Sequence, residues 1–250
     1  MHRIFVHELS LLKQPVVLRG EKAHYLFTVL RCKTGERLIV TDEKGHSYTA
    51  QILSTYNKEV VMDIVGDYIL DTESNLNIIL IQGLLKGEKM DFVIQKTTEL
   101  GVSAIIPAVT ERSQLRETRK HPRWKKIAEE ASRQSGRTKI PEIFETCSFK
   151  DIFDIPVMIS GKGIIFWEQG GEKLAAVASR LSHTDKIFLI IGPEGGFSEE
   201  EVFLASEKGS FTATLGSRIL RAETASIAAV SIIQFALGDL GSQAENIHPQ

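Results

Sequence analysis

Apolar and polar positions recur with two different periods along this chain, and the change from one to the other divides it. Up to about residue 70 the pattern is one of short strands between polar breaks, at 3–6 (RIFV), 15–19 (PVVLR), 37–41 (RLIVT), 47–53 (SYTAQIL) and 59–65 (EVVMDIV). One helical stretch, His24 to Leu30, interrupts them. Strands this closely spaced, separated by Gly35, Gly45 and segment 55–58, predict a small mixed β-barrel. The polar run Asp71, Thr72, Glu73, Ser74, Asn75 marks the expected boundary, giving a first domain over 1–72 and a second over 73–242.

In the second part strands alternate with helices. Segment 76–82 (LNIILIQ) is apolar throughout, as a strand buried on both faces would be, and Met90, Val93, Ile94, Thr97 and Leu100 follow at helical spacing. A strand at 103–109, a helix carrying Trp124, Ile127, Ala128 and Ala131 on one face, and a stop at Pro141 come next. Strands at 163–168 and 186–192 enclose a helix over 173–181. Ser198 opens a further helix with Glu201 three residues on, the pattern of a capping box. A strand at 211–216 and a helix from Ala222 to Leu237, apolar on most faces and closed by Gly238, complete an α/β domain with a largely parallel sheet. The tail 243–250 reads as frayed.

Composition changes this picture little. Hydrophobic residues are 42% and charged residues 25% of 250, which is ordinary for a globular chain. Cys32 and Cys147 form no C-x-x-C pair, so no zinc site is expected, and the sparse cysteine suits a reducing, cytoplasmic setting. Neither the N-terminus nor the apolar run 224–238 has the length of a signal core or a membrane span.

Charge matters more, because its distribution is uneven. Segment 111–139 holds ten Lys and Arg against four Glu in a chain whose formal charge is -2. Such a block is either a solvated helix face or a phosphate-binding surface. Arg112, Arg133 and Arg137 within it, with Arg3, His24 and Arg31 in the first domain, are the candidate RNA contacts, though a lone His such as His24 is more often a capped or core residue, and Arg3 and Arg31 share that ambiguity. The helical spacing of Trp124 favours burial over base stacking.

Three strands of the last third end in unusual loops: Trp167-Glu168, Gly192-Pro193-Glu194-Gly195-Gly196, and Leu215-Gly216-Ser217-Arg218-Ile219-Leu220-Arg221. Ligands of open α/β sheets bind beyond the carboxyl ends of strands, so these loops form one candidate site. The glycines let backbone approach a ligand closely. Their spacing is neither that of a dinucleotide fingerprint nor that of a P-loop.

The combination IGPEGGFSEEE (191–201) and LGSRILRAETA (215–225), with GEKMDFVIQKTTELGV (87–102), ERS (111–113), QSGR (134–137), VLR (29–31) and RIFV, resembles the bacterial 16S ribosomal RNA uridine-N3 methyltransferases of the knotted SPOUT superfamily. The resemblance implies a trefoil-knotted C-terminal domain, which topology rules alone would not suggest. It also implies an N-terminal PUA-like RNA-binding barrel and a homodimer. The knot loops would hold S-adenosyl-L-methionine, placing Trp167, Glu168, Gly192, Pro193, Glu194, Gly195, Gly196, Leu215, Gly216, Ile219, Leu220 and Thr224 at the cofactor. The substrate implied is a uridine of 16S rRNA, within the assembled small subunit. Neither a metal nor a membrane is part of this pattern.

The chemistry such a transfer needs points to two further residues. A uridine N3 carries a proton, so attack requires its removal and stabilisation of charge on the uracil oxygens. Arg221 is the candidate cation and Glu223 the nearest candidate base. Arg221 could instead brace the loop against Glu223 or Glu194, and a Glu in the first helical turn is stabilised there without any catalytic duty. Two other readings stay open at this point: an α/β transferase without RNA, which the basic block disfavours, and a non-enzymatic RNA-binding module, which leaves the three loops without purpose.

Overall fold

The computed structural model describes residues 1–7, 9, 14–56, 58–69, 72–158, 160–182 and 186–241. Asp71 and the tail 243–250 lie outside the described residues. The chain divides into two compact units, one made of Met1–Glu73 with Ser132–Lys139 and the other of Ser74–Ala131 with Ile140–Gln250.

The first unit contains β1 (His2–Phe5), β2 (Val16–Leu18), β3 (Arg37–Thr41), β4 (Ser47–Tyr56) and β5 (Glu59–Asp67). They pair in the order β1-β3-β4-β5-β2, with β1 parallel to β3 and the other neighbours antiparallel. Period-two alternation does the work the sequence indicates: Leu38 and Val40, Ala50 and Ile52, and Val60 and Met62 all point into one apolar cluster. The helical stretch is longer than its apolar signal, because α1 (Gly20–His24) precedes a π-helical turn over Tyr25–Val29. Its first residues, Gly20, Glu21 and Lys22, carry no apolar pattern, whereas Ala23 and Leu26 anchor it in the core.

Segment 132–139 belongs to this unit through polar bonds that no periodicity announces. The Glu73 carboxylate accepts from Arg137 Nη2 at 2.7 Å, the Thr138 amide at 2.8 Å and the Lys139 amide at 3.0 Å. Arg3 donates to the Arg137 carbonyl at 3.0 Å and to the Gly136 carbonyl.

In the second unit β6 (Asn77–Gly83), β7 (Ala104–Val109), β8 (Glu142–Ile143), β9 (Cys147–Ser148), β10 (Gly161–Phe166), β11 (Glu172–Lys173), β12 (Lys186–Ile191) and β13 (Phe211–Thr214) form one sheet. Its order is β11-β13-β10-β12-β6-β7-β8, β9 also pairs with β7, and every ladder is parallel. Helices cover both faces, which is why the strands read as continuous apolar runs. Ile78 and Leu80 pack with α2 (Lys89–Glu99), α3 (His121–Ser135) and α6 (Ala222–Leu237). Their neighbours Ile79 and Ile81 face the opposite cluster with Phe149, Phe197 and α5 (Glu199–Glu207).

Local signals are recovered at several points. The Ser198–Glu201 capping box forms in full, and Glu201 also accepts the Glu111 amide at 2.8 Å. Trp124 is buried, its indole donating to Asp91 at 2.9 Å. The helix expected over 173–181 is α4 (Leu174–Ala178), because the Arg180 and Leu181 amides bond three residues back and tighten the last turn. The final helix ends at Gly238 but is not covered all round: Ile232 and Phe235 are exposed. No helix of the described residues is long and apolar enough to cross a membrane.

Candidate active site

Because β10, β12 and β13 run parallel side by side, the loops that follow them emerge at one edge of the sheet. They enclose a cavity of about 530 Å³. Trp167 and Glu168 from the first loop line it, as do Gly192, Pro193, Glu194, Gly195 and Gly196 from the second and Leu215, Gly216, Ile219 and Leu220 from the third. Arg221 and Glu223 line it from the start of α6. Thr224 does not: it is exposed on α6, about 200° around the helix from the cavity-lining Ala222.

Backbone geometry explains the glycines. Gly196 has φ +70°, and a Cβ there would lie 2.7 Å from Glu168 Oε1; a Cβ on Gly195 would lie 2.9 Å from the Arg112 side chain and 3.1 Å from its carbonyl. At Gly195 the close approach to Arg112 leaves room only for a bare Cα, whereas at Gly196 the Glu168 side chain could swing aside and it is the left-handed backbone that favours glycine. Gly216 has φ +99° with open space around it, so its conformation alone requires glycine.

Beneath the second loop sits a residue that sequence reasoning missed. Gln82, fully buried at the end of β6, donates from Nε2 to the Gly192 carbonyl at 3.2 Å and accepts the Ser226 hydroxyl of α6 on Oε1. It ties two of the cavity's walls to the central strand. The only sequence signal was one polar residue ending an apolar run.

Lys89 was missed as well. It opens α2, lines the cavity and pairs with Glu194 at 2.9 Å. Burial pushes the Glu194 carboxyl up, but the bonds from Lys89 and from its own and the Lys86 amides outweigh this and bring it below the ordinary carboxylate range. The same bond to Glu194 raises the Lys89 ammonium, against a smaller opposing effect of burial. Glu194 therefore pairs with Lys89, not with Arg221.

Arg221 is exposed and precedes α6 in extended conformation, its carbonyl accepting the Ala225 amide at 2.8 Å. Among the described residues its guanidinium makes no ion pair, so bracing by Glu194 or Glu223 is not what holds it. Arg218 is a second cation on the lining. Two buried polar atoms of the lining residues lack partners, Trp167 Nε1 and Glu223 Oε2. A donor and an acceptor left this way call for a polar ligand, since burying either unpaired costs about 1–3 kcal/mol. Carboxylates of Glu168 and Glu223 beside backbone carbonyls suit a ligand that carries positive charge together with hydrogen-bonding groups.

Part of the basic block is engaged in structural bonds. Arg116 donates to the carbonyls of Thr110 and Glu111 at 2.9 and 2.7 Å, Lys120 to that of Gly87 at 2.6 Å, and Arg123 to Asp91 at 2.8 Å. Arg137, expected to face RNA, is corrected to a structural residue: it is 5% exposed and its charge is neutralised by Glu73. Arg3 is nearly as buried, with donors committed to backbone carbonyls. Arg112 is exposed and reaches the Gly195 carbonyl at 3.3 Å, beside the cavity loop. Arg133 lies 4.0 Å from the Tyr25 ring centroid. His24 and Arg31 are exposed, the former bonded to Thr28.

Comparison with known proteins decides the family. An RNA methyltransferase domain matches residues 72–234, and an RNA methyltransferase PUA domain matches residues 18–63. The chain belongs to this RNA methyltransferase family. It is similar to the ribosomal RNA small subunit methyltransferase E of Buchnera aphidicola subsp. Acyrthosiphon pisum, with 33% identity covering 95% of this chain and 94% of that protein. The same-named protein of Bacillus subtilis is 30% identical over 87% of this chain and 89% of its own length. Among solved structures, a ribosomal RNA small subunit methyltransferase E from Neisseria gonorrhoeae bound to S-adenosyl methionine superposes with a TM-score of 0.87 at 34% identity, covering 96% of this chain and 99% of that one. The matched methyltransferase domain corresponds to the parallel-sheet unit that holds the cavity.

Proposed function

We propose that this chain methylates N3 of a uridine in 16S ribosomal RNA, with S-adenosylmethionine as donor and the assembled small subunit as substrate. The observation that carries the reading is the cavity itself, where Arg221 and Glu223 stand at the start of α6 among three glycine-bearing or aromatic loops. When bound, S-adenosylmethionine supplies an electrophilic sulfonium methyl. The residues that would hold it are Trp167, Glu168 and the 192–196 and 215–220 loops, whose unpaired indole N–H and close-lying backbone fit a ligand rich in hydrogen-bonding groups.

The protein's own part is to align and to neutralise. The Glu223 carboxylate would take the proton from the uracil N3 as the methyl's bond to sulfur breaks and its bond to N3 forms, leaving a neutral thioether, and Arg221 would face the charge that develops on the uracil oxygens. The half-buried Leu215 and Leu220 of the loop wall would keep water from the reacting face. Exposed Arg112, His24 and Arg31 contact the RNA backbone. Threading of the 215–221 segment into a knot belongs to the same reading: the chain leaves β13 on one side of β10 and returns to pack α6 against β12 and β6. So does a homodimer formed on the uncovered Ile232 and Phe235 face of α6, because exposed apolar side chains on a long helix gain by being covered.

The test is incubation of the protein with S-adenosylmethionine and small subunits lacking the modification, followed by nucleoside analysis. Appearance of 3-methyluridine supports the reading, and methyl on another atom or on no RNA overturns it. Thermal stabilisation by S-adenosylmethionine, required by mass action, tests the donor separately. Sedimentation showing a stable monomer of 27.8 kDa at micromolar concentration would remove the dimer.

A further inference from the structure

Lys89 lines the methyl-transfer cavity but has no part in aligning the methyl or in taking the N3 proton. It is the first residue of α2, where a cation faces the positive end of the helix dipole and gains nothing from its own helix. Glu194 holds it there, with Oε1 2.9 Å from the ammonium, and the Lys86 amide donates to the same oxygen at 3.3 Å. Among the described residues the ammonium has no other hydrogen-bond partner. Of the three N–H groups of a lysine, one is committed to Glu194 and the others are open to a ligand.

The ammonium also shares the field of Glu223 and Arg221. The bond to Glu194 raises it most, burial lowers it, and beyond these Glu223 raises it and Arg221 lowers it. Both groups are therefore within charge–charge reach of Lys89, although they stand at the start of α6 and it starts α2. Glu223 Oε2 is buried without a partner, and Arg221 makes no ion pair among the described residues. One open acceptor thus has open donors near it on two separate elements. Arg218, the other unpaired cation of the lining, is exposed and shares a loop with Arg221, and no partner among the described residues fixes it. Lys89, held by Glu194, is the better preorganised donor.

An unpaired uracil presents the complementary set. Along its pairing edge an acceptor O4, a donor N3–H and an acceptor O2 follow one another, and an enzyme that reacts at N3 reads that edge directly. Cytosine carries an amino donor in place of O4 and a bare acceptor at N3, so it would set donor against donor and acceptor against carboxylate. We propose that Lys89 is the second donor of a uracil-reading set, in which Glu223 accepts from N3–H while Lys89 and Arg221 each donate to one of the two carbonyl oxygens. The ammonium then stabilises charge on its oxygen and excludes cytosine. The inference rests on the uridine-N3 reading of this cavity and deepens it by assigning base choice to a residue of α2.

The test removes the acceptor from the substrate and the donor from the protein in turn. Small subunits are reconstituted with uridine, 2-thiouridine or 4-thiouridine at the modified position, and single-turnover methylation is followed at saturating S-adenosylmethionine. Sulfur accepts hydrogen bonds weakly, so each thio substrate should slow the unsubstituted chain, by about ten- to a hundredfold. Lys89→Met should be slowed to a similar extent on uridine, lose the penalty for one thio substrate and keep it for the other, because a bond already broken is not broken twice. The greater N3 acidity of the thio bases is common to every variant and cancels. Since Lys89→Met also breaks the pair with Glu194, Glu194→Gln provides a second variant that leaves the ammonium an acceptor; it should keep both penalties. Additive losses for Lys89→Met with both thio substrates would overturn the proposal. So would loss of a penalty in Glu194→Gln, which would show Lys89 acting through the 192–196 loop. Absence of 3-methyluridine when the unsubstituted chain meets the uridine substrate is the separate result that removes the uridine-N3 reading and this inference with it.

Discussion

The side-chain amide of Gln82 donates to the carbonyl of Gly192 across 3.2 Å, so a residue of the central strand fixes the loop that forms one wall of the cavity. Its oxygen accepts from Ser226, which carries the constraint to α6. Gln82→Leu keeps the volume and removes both bonds. It should cost about 1–3 kcal/mol of stability, the penalty for a buried carbonyl left unpaired. S-adenosylmethionine affinity should fall with it, while turnover at saturating cofactor changes less. Calorimetry showing native affinity in a folded variant would mean that the loop holds its shape without Gln82.

The glycine pair gives a graded test of loop closeness. Gly195→Val must push against Arg112, and Gly196→Ala must displace Glu168 while adopting a left-handed conformation. Both should lower S-adenosylmethionine affinity at least tenfold. Gly209→Ala is the control: it has φ +86° but open space around it, and it lies off the cavity lining. It should lose about 1 kcal/mol of stability with unchanged affinity.

Arg221→Ala should remove transition-state stabilisation and leave cofactor binding intact. Loss of one preorganised donor of this kind is worth about 3 kcal/mol, or roughly 10² to 10³ in rate. Lysine should restore only part of it, because a point charge does not reproduce the planar guanidinium fork. Single-turnover methylation of small-subunit RNA is the measurement. A rate for the alanine variant within a few-fold of the parent would move the search to Glu223 and Arg218.

Acid should weaken the first unit through Glu73. Burial raises its carboxyl, but Arg137 and the Thr138 and Lys139 amides more than reverse this, so its folded value lies below the ordinary carboxylate range. A depressed folded value means the stabilisation is complete above the unfolded value near 4.3 and is lost as pH falls through the folded one. Glu73→Gln should therefore cost about 3 kcal/mol at neutral pH, the usual consequence of breaking a buried pair, and much less near pH 3. Melting curves of the two proteins from pH 7 to 3 should converge. Parallel curves would assign the acid sensitivity to other carboxylates.

Much of this architecture was legible along the chain because its signals are local. The alternation of Ile78, Ile79, Leu80 and Ile81 between two apolar clusters follows from the pleat of one strand. The Ser198–Glu201 cap joins residues three apart, and the three loops at strand ends carry their unusual composition within a few residues each.

Partners distant in sequence were decided by the tertiary structure. The surplus of positive charge at 111–139 was countable, but Arg116, Arg123 and Arg137 are satisfied by carbonyls and carboxylates of Thr110, Asp91 and Glu73, two of which lie more than 30 residues away. Lys89 reaches Glu194 only because α2 starts beside the loop that follows β12, an adjacency set by the pairing of β6 with β12. Gln82 looked like the polar end of an apolar run until that pairing placed Gly192 above it. Thr224 sits in a promising motif and still turns away, because helix phase and not sequence proximity fixes which residues of α6 face the cavity. Sequence periodicity thus determined the elements and their buried faces, whereas hydrogen bonds and charges are short-ranged and found their partners only once the sheet order had brought distant segments together.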